Sequence, residues 1–277
     1  MKKLLIRTLS GAVYVALVVF VIYATEWFHN PLLGCAIFTT FFFIVAMIGL
    51  DEYFRNLSLK GVVTNRVLGM VLGALTYIGL CLSGPLHLPK ESILLLPALW
   101  STICLIQLWR PDDHPFSTIG YTILPILWIV LPLALMQTIG NIHLGLIMMI
   151  FLCTWVNDSG AYLTGMTFGR HRLWERHSPN KTWEGTLGGI LFAVLCAVFV
   201  GPLFTTQFAW WHWLFIGLSC GIFGTLGDLV ESMFKRYCGV KDSGNIMPGH
   251  GGILDRFDSL LVIVPVIAAL IALAKIF

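Results

Sequence analysis

An all-α polytopic membrane protein with about nine transmembrane helices is what this amino-acid sequence predicts, and three observations carry the prediction. Hydrophobic residues make up 57% of the 277 positions and charged residues only 11%, against about 25% charged in ordinary soluble chains. The mean hydropathy is +0.86. The charges are confined to short segments between long apolar runs, so their positions say more than the formal net charge of +3. A soluble globule of this size cannot cover its surface with so few charges, which excludes a cytosolic enzyme, a disordered chain and a secreted disulfide scaffold. The seven cysteines (Cys35, Cys81, Cys104, Cys153, Cys196, Cys220, Cys238) are scattered with no CxxC pair and read as small packing residues.

A membrane-crossing helix needs about 20 mainly apolar residues bounded by charge, proline or aromatic anchors. Nine such runs emerge: residues 9–28, 32–50, 66–84, 92–109, 118–138, 143–165, 185–205, 211–234 and 254–275. The first follows Met1-Lys2-Lys3 and runs to Trp27 without a small-x-small cleavage site, so it reads as a retained helix and not as a signal peptide. Gly69 with Gly73, Gly185 with Gly189 and Gly217 with Gly221 give small-xxx-small spacing, which predicts close helix packing. Positive loops stay cytoplasmic. With the N-terminus inside, nine spans put every lysine and arginine except Lys90 and Lys275 on the cytoplasmic side of the cell membrane, and adding or removing a span would put a basic cluster outside.

The two halves differ in kind. Spans one to five carry almost no ionisable side chain in their interiors and read as lipid-facing or packing helices, giving an N-terminal region 1–142. In the C-terminal region 143–277, Asp158, Asp228, Glu231, Asp255 and Asp258 lie within or at the ends of apolar runs. Ionisable groups at such depth are costly and mark a functional site, here placed near the cytoplasmic face.

Three segments concentrate the chemistry. Asp158-Ser159-Gly160-Ala161-Tyr162 lies inside span six; its aspartate reads equally as a metal or ribose contact and as a hydrogen-bonded link between helices. In Ser178-Pro179-Asn180-Lys181-Thr182-Trp183-Glu184-Gly185, a serine, a lysine and a threonine precede a helix N-terminus, whose free amides and dipole favour phosphate. Lys181 alone also reads as a membrane anchor. The third segment runs from Asp228 through Glu231, Ser232, Lys235 and Arg236 to Lys241, then Pro248-Gly249-His250-Gly251-Gly252, Asp255, Arg256 and Asp258. Asp228, Glu231 or Ser232, and Lys235 recur at helical spacing on one face, and Asp255 and Asp258 stand three apart at the start of span nine. Carboxylates from two helices suit a hard cation such as Mg2+, shared with substrate phosphates. The glycines between them predict a backbone anion nest. His250 reads as a general base, a phosphate donor or a structural group, the last two favoured in so glycine-rich a turn. Trp155, Trp183, Trp210, Trp211 and Trp213 read as interface anchors or core.

The third segment, Ser232-x-x-Lys235-Arg236-x4-Lys241-Asp242-x-Gly244 followed by Pro248-x-His250-Gly251-Gly252-x-x-Asp255-Arg256-x-Asp258, resembles the signature of the phosphatidate cytidylyltransferases, also called CDP-diacylglycerol synthases. The Asp158 and Ser178 segments are similar to further stretches of that family, so the likeness covers roughly residues 150–277, with Met247 where the family usually has Leu, Ile or Phe. The resemblance implies that CTP and phosphatidate give CDP-diacylglycerol and pyrophosphate with Mg2+, a second, monovalent cation (K+), and a homodimer, with no nucleic-acid partner. By position it makes Asp228 and Asp255 the metal carboxylates, the pair that spacing and depth also single out. With them, Lys181, Lys235 and Arg256 are expected to serve catalysis. Asp158, Ser178, Thr182, Ser232, Arg236, Lys241, His250, Gly251 and Gly252 are expected to contact substrate, and Asp258 to orient Arg256 or the metal shell. A membrane transporter using intramembrane carboxylates is the rival reading, but transporter repeats distribute polar residues over both halves. A cytidylyltransferase for a related lipid phosphate is another. The Asp-Gly-x-x-Ala-Arg core of the CDP-alcohol phosphotransferases does not fit Asp158-Ser159-Gly160-Ala161-Tyr162.

Overall fold

A computed structural model describes residues 2–83, 95–247, 249 and 251–274. Helices stand at the places where the apolar runs predicted them. They are α1 (Lys2–Phe28), α2 (Pro31–Leu59), α3 (Arg66–Ser83), α4 (Leu95–Gln107), α5 (Pro115–Pro125), a π-helical turn (Ile126–Val130), α6 (Leu131–Ile142), α7 (Leu144–Phe168), α8 (Trp183–Phe204), α9 (Trp210–Cys238), α10 (Leu254–Phe257) and α11 (Leu260–Ala274). Among the described residues, six helical stretches are long and apolar enough to cross a membrane: Thr8–Phe28, Pro31–Leu59, Pro115–Ile142, Leu144–Phe168, Trp183–Phe204 and Trp210–Cys238. The apolar stretches Arg66–Cys81, Leu96–Gln107 and Leu260–Leu273 are shorter.

The chain divides into two compact units, the first formed by 1–138 with 238–255 and the second by 139–237 with 256–277. The boundary differs from a simple split at residue 142, because the segment after α9 belongs with the first helices.

In the first unit α2 is the central element. The sequence ends span two at Leu50, where Asp51 and Glu52 interrupt the apolar run, yet α2 continues to Leu59. Tyr53, Phe54 and Leu57 keep an apolar face buried beyond the charges, so the helix has a reason to go on. Gly69 and Gly73 of α3 let it approach α2 as their spacing predicted: an added methyl would meet the Phe54 ring at 2.4 Å and Leu50 at 2.5 Å. Polar side chains tie the helices together, with Thr39 donating to Gln137 at 2.9 Å and Trp100 to Thr76 at 3.0 Å. The π-helical turn ends with the Leu131 amide donating to Ile126 O, beside Pro132, whose missing N–H removes an α-helical bond at this point.

In the second unit, α7, α8, α9 and α11 pack through small residues. A methyl at Gly185 or Gly189 of α8 would lie 2.9 Å from Ala161 O or 2.7 Å from Asn157 O of α7. One at Gly217 or Gly221 of α9 would lie within 2.8 Å of a Cα atom of α8. Trp213 is fully buried as core, while Trp210 and Trp211 are exposed. Between α7 and α8 the polar stretch, expected as a plain loop, forms an antiparallel hairpin, β1 (Arg172–Trp174) with β2 (Ser178–Thr182). The pairing satisfies backbone groups that a loop would leave to solvent, and it delivers Lys181 and Thr182 directly to the start of α8.

Candidate active site

The second unit gathers Asp158, Asp228, Glu231 and Asp258 with two lysines. Asp228, Glu231, Ser232 and Lys235 share one face of α9, as their spacing predicted. Lys181 Nζ lies 2.5 Å from Asp228 Oδ2 and donates to Thr225 O at 3.5 Å. Ser232 Oγ donates to Asp228 Oδ1 at 3.3 Å. Glu231, completely buried, forms an ion pair with Lys235 one turn further on. Gly227 has no side chain to hold off the start of α11: a methyl there would lie 2.8 Å from Asp258 O. That approach brings the third carboxylate alongside, and one oxygen each from Asp228, Glu231 and Asp258 lie within 4.8 Å of one another. Two hard oxygen donors of α9 and one from the turn before α11 fit Mg2+, which takes carboxylate oxygens and keeps part of its water shell for phosphate.

A cavity of about 490 Å3 opens beside this group, lined among others by Asp158, Tyr162, Lys181, Thr182, Thr225 and Asp228. Its floor includes the first turn of α8. Thr182 caps that helix, accepting from the Gly185 amide at 3.1 Å. Glu184 accepts from the amides of Arg170 and His171 at 3.1 and 3.2 Å, fixing the hairpin to the helix. A largely apolar cavity with a lysine and a helix N-terminus in its wall, next to a carboxylate group, suits an anionic ligand that brings its own phosphates.

The first unit holds a second polar cluster, built on the glycine-rich segment. Asp255 Oδ2 accepts from Ser243 N, Ser243 Oγ and Gly252 N, each at 2.8 Å. The Glu52 carboxylate of α2 accepts from Ile253 N and Leu254 N at 2.9 Å and from Ser243 Oγ at 3.2 Å. Asn56 and Arg55 donate to Ser243 O at 2.9 and 3.2 Å. The amides of Ser243, Gly252, Ile253 and Leu254 thus meet carboxylates of the chain itself.

Of the residues singled out by sequence, Asp158, Lys181, Thr182, Asp228, Ser232 and Lys235 come together in the second unit. Ser178 is half-buried at the start of β2, Arg236 is exposed near the end of α9, and Arg256 is half-buried on α10. Gly251, Gly252 and Asp255 sit in the first unit, with Lys241 exposed. His250 lies outside the described residues. Asp228 and Asp255 thus belong to different units, each with its own partners. Sequence reasoning left Glu231 out of the metal set, though it stands one turn from Asp228, and gave Asp258 only an orienting part. It passed over Glu52, because spans one to five seemed bare of ionisable groups; the structure corrects this with a glutamate only 1% exposed.

Comparison with known proteins places this arrangement in context. The model of a family described as the cytidylyltransferase family matches residues 5–274. The chain is 48% identical over 125 residues to a phosphatidate cytidylyltransferase of Staphylococcus epidermidis, an alignment covering 45% of this chain and 48% of the relative. It is similar to proteins of the same name from Staphylococcus haemolyticus, 49% identical over 123 residues (44% of this chain, 46% of the relative), and Staphylococcus saprophyticus, 47% over 125 residues (45% and 48%). The chain spans about half the length of the curated relatives it matches.

Proposed function

The chain belongs to the cytidylyltransferase family, and on that premise we propose that it transfers the cytidylyl group of CTP to phosphatidate, giving CDP-diacylglycerol and pyrophosphate. The observation that carries the reading is Lys181 of β2 set 2.5 Å from Asp228 of α9 at the wall of a cavity, in a unit whose α7, α8 and α9 are long and apolar enough for a membrane. Such a site combines a phosphate-binding cation, a carboxylate group for a metal and access for a lipid.

Phosphatidate carries an anionic phosphate oxygen near neutral pH, so no strong base is needed to create the nucleophile. That oxygen forms a bond to the α-phosphorus of CTP, and the bond from the α-phosphorus to the bridging oxygen breaks, its electron pair leaving with pyrophosphate. The demands on the protein are positioning and charge neutralisation. Lys181, held at the cavity by Asp228 and Thr225 O, places one positive charge against the phosphates. The amides of the first turn of α8 add partial positive charge along the same wall. Lys235 balances the charge of buried Glu231 on the same face of α9. Arg236, Lys241 and Arg256 offset charge on the substrates and on departing pyrophosphate. Mg2+ held by Asp228, Glu231 and Asp258 would neutralise phosphate oxygens and orient them.

The family resemblance adds Asp255 to the metal carboxylates, K+ as a second cation and a homodimer as the assembly. The bias of lysine and arginine supports a multi-pass protein of the cell membrane with the site open to cytosolic CTP.

Purified protein incubated with radiolabelled CTP, Mg2+ and a panel of lipid phosphates tests the proposal. Label entering lipid with phosphatidate, dependent on Mg2+ and accompanied by pyrophosphate, is the expected result. Preference for another lipid phosphate would transfer the assignment to that acceptor, and no labelled lipid with any acceptor would sink it.

A further inference from the structure

We propose that Glu52, contributed by α2 from the first half of the chain, is a positioning residue for the glycine-rich segment that follows α9. This rests on the reading that residues 241–256 serve the cytidylyl transfer. The carboxylate is completely buried and takes two backbone amides, Ile253 N and Leu254 N, both at 2.9 Å, with the Ser243 hydroxyl at 3.2 Å. The one hydrogen of that hydroxyl is shared with Asp255 Oδ2, which lies 2.8 Å away and also accepts from the Ser243 amide. One serine therefore links a carboxylate from residue 52 to one from residue 255.

Two glycines of the segment are explained by this anchor. A methyl at Gly244 would lie 2.2 Å from Glu52 Oε1, and one at Gly252 would lie 2.4 Å from the same atom. The oxygen is held by the Ile253 amide and cannot retreat without giving up that bond. Gly244 and Gly252 are small so that a carboxylate can occupy the space where their side chains would be. The anchor is multiple, since Asn56, one turn along α2 from Glu52, also holds the Ser243 carbonyl at 2.9 Å.

Burying a carboxylate is costly unless hydrogen bonds satisfy it, and charge-assisted bonds to amides do so. A glutamate kept buried at the end of the apolar stretch of α2 indicates that the turn it holds needs a fixed shape. With Glu52 and Asp255 seated, the amides of residues 252–254 are committed to the chain's own carboxylates.

The test combines hydrogen exchange with steady-state kinetics on the full chain in lipid nanodiscs. Glu52→Gln keeps the shape but turns a donor toward one of the two amides. Exchange at residues 243–255 should quicken at least tenfold, while α7 and α8 keep wild-type protection, and kcat/KM for CTP should fall at least tenfold. Asp51→Asn, which removes the neighbouring carboxylate that pairs with Arg66, should move neither readout. Unchanged exchange, quickened exchange with unchanged kcat/KM, or equal effects from Asp51→Asn would each overturn the proposal. If Glu52→Gln fails to fold, Ser243→Ala takes its place, with the same two readouts expected to move in the same directions; no change in either would count against the anchor. Wild-type protein inactive toward CTP and phosphatidate would instead reject the functional reading, and the exchange arm, which needs no substrate, would still decide whether Glu52 holds the segment.

Discussion

Lys181 and Asp228 form the contact on which most depends, because each explains the presence of the other inside an apolar unit. Paired, the lysine and aspartate hold each other's charge in place at the cavity wall. Lys181→Ala is expected to lower kcat/KM for CTP by roughly a hundredfold while insertion stays normal, the scale set by loss of a charge-assisted contact made to the reacting phosphates. Unchanged kinetics in a folded variant would leave Lys181 as a membrane anchor. Asp228→Asn should cost as much and should raise the Mg2+ concentration needed for half-maximal rate. Because the two residues touch, the double variant should be little worse than the poorer single one, with a coupling of about 0.5–3 kcal/mol in a double-mutant cycle. Asp255→Asn should also be severe. There the expected lesion includes release of Ser243 and Gly252, so exchange at those amides separates it from the effect at Asp228.

Helix contacts in the second unit are made where side chains are missing. At Gly217 a methyl would meet the Val194 Cα at 2.7 Å, and backbone cannot swing aside as a side-chain tip can. Gly217→Leu should therefore destabilise the protein by about 1–3 kcal/mol, read as a lower midpoint of thermal unfolding in detergent. Gly120, in the exposed part of α5, has nothing within 4 Å of a built methyl. Gly120→Ala should be neutral or stabilising by up to about 1 kcal/mol, the helix propensity of alanine over glycine. If the two variants behave alike, packing is not what the small residues of α9 supply. At the α8 N-terminus, loss of the Thr182 hydroxyl removes the cap on Gly185 N. Thr182→Ala should cost about 1 kcal/mol of stability, and its effect on KM tests whether the capped turn faces phosphate.

For the whole molecule the testable property is orientation. The distribution of lysine and arginine predicts that the loops at 166–184 and 235–253 face the cytoplasm with the N-terminus. Single cysteines placed at exposed Glu175 and Asn245, in a background lacking the native seven, should resist an impermeant thiol reagent until the membrane is opened. Labelling of intact cells at either position would reverse the orientation and remove the access of cytosolic CTP that the proposed reaction requires.

Periodicity and hydropathy located the membrane helices because crossing a lipid core imposes length and composition on a segment regardless of its neighbours. The same local logic exposed the face of α9 that carries Asp228, Ser232 and Lys235, since residues three and four apart on a helix share a side wherever the helix is placed. Contacts between distant parts of the chain leave no such trace. Glu52 looked like the polar end of an apolar run, and only the fold shows that run continuing and its carboxylate meeting amides two hundred residues later. Asp258 joins Asp228 and Glu231 because Gly227 admits the start of α11, and the segment after α9 packs with the first helices instead of with its sequence neighbours. Each of these depends on how closely two backbones approach, a quantity set by the packed interior and not by the spacing of residues along one helix.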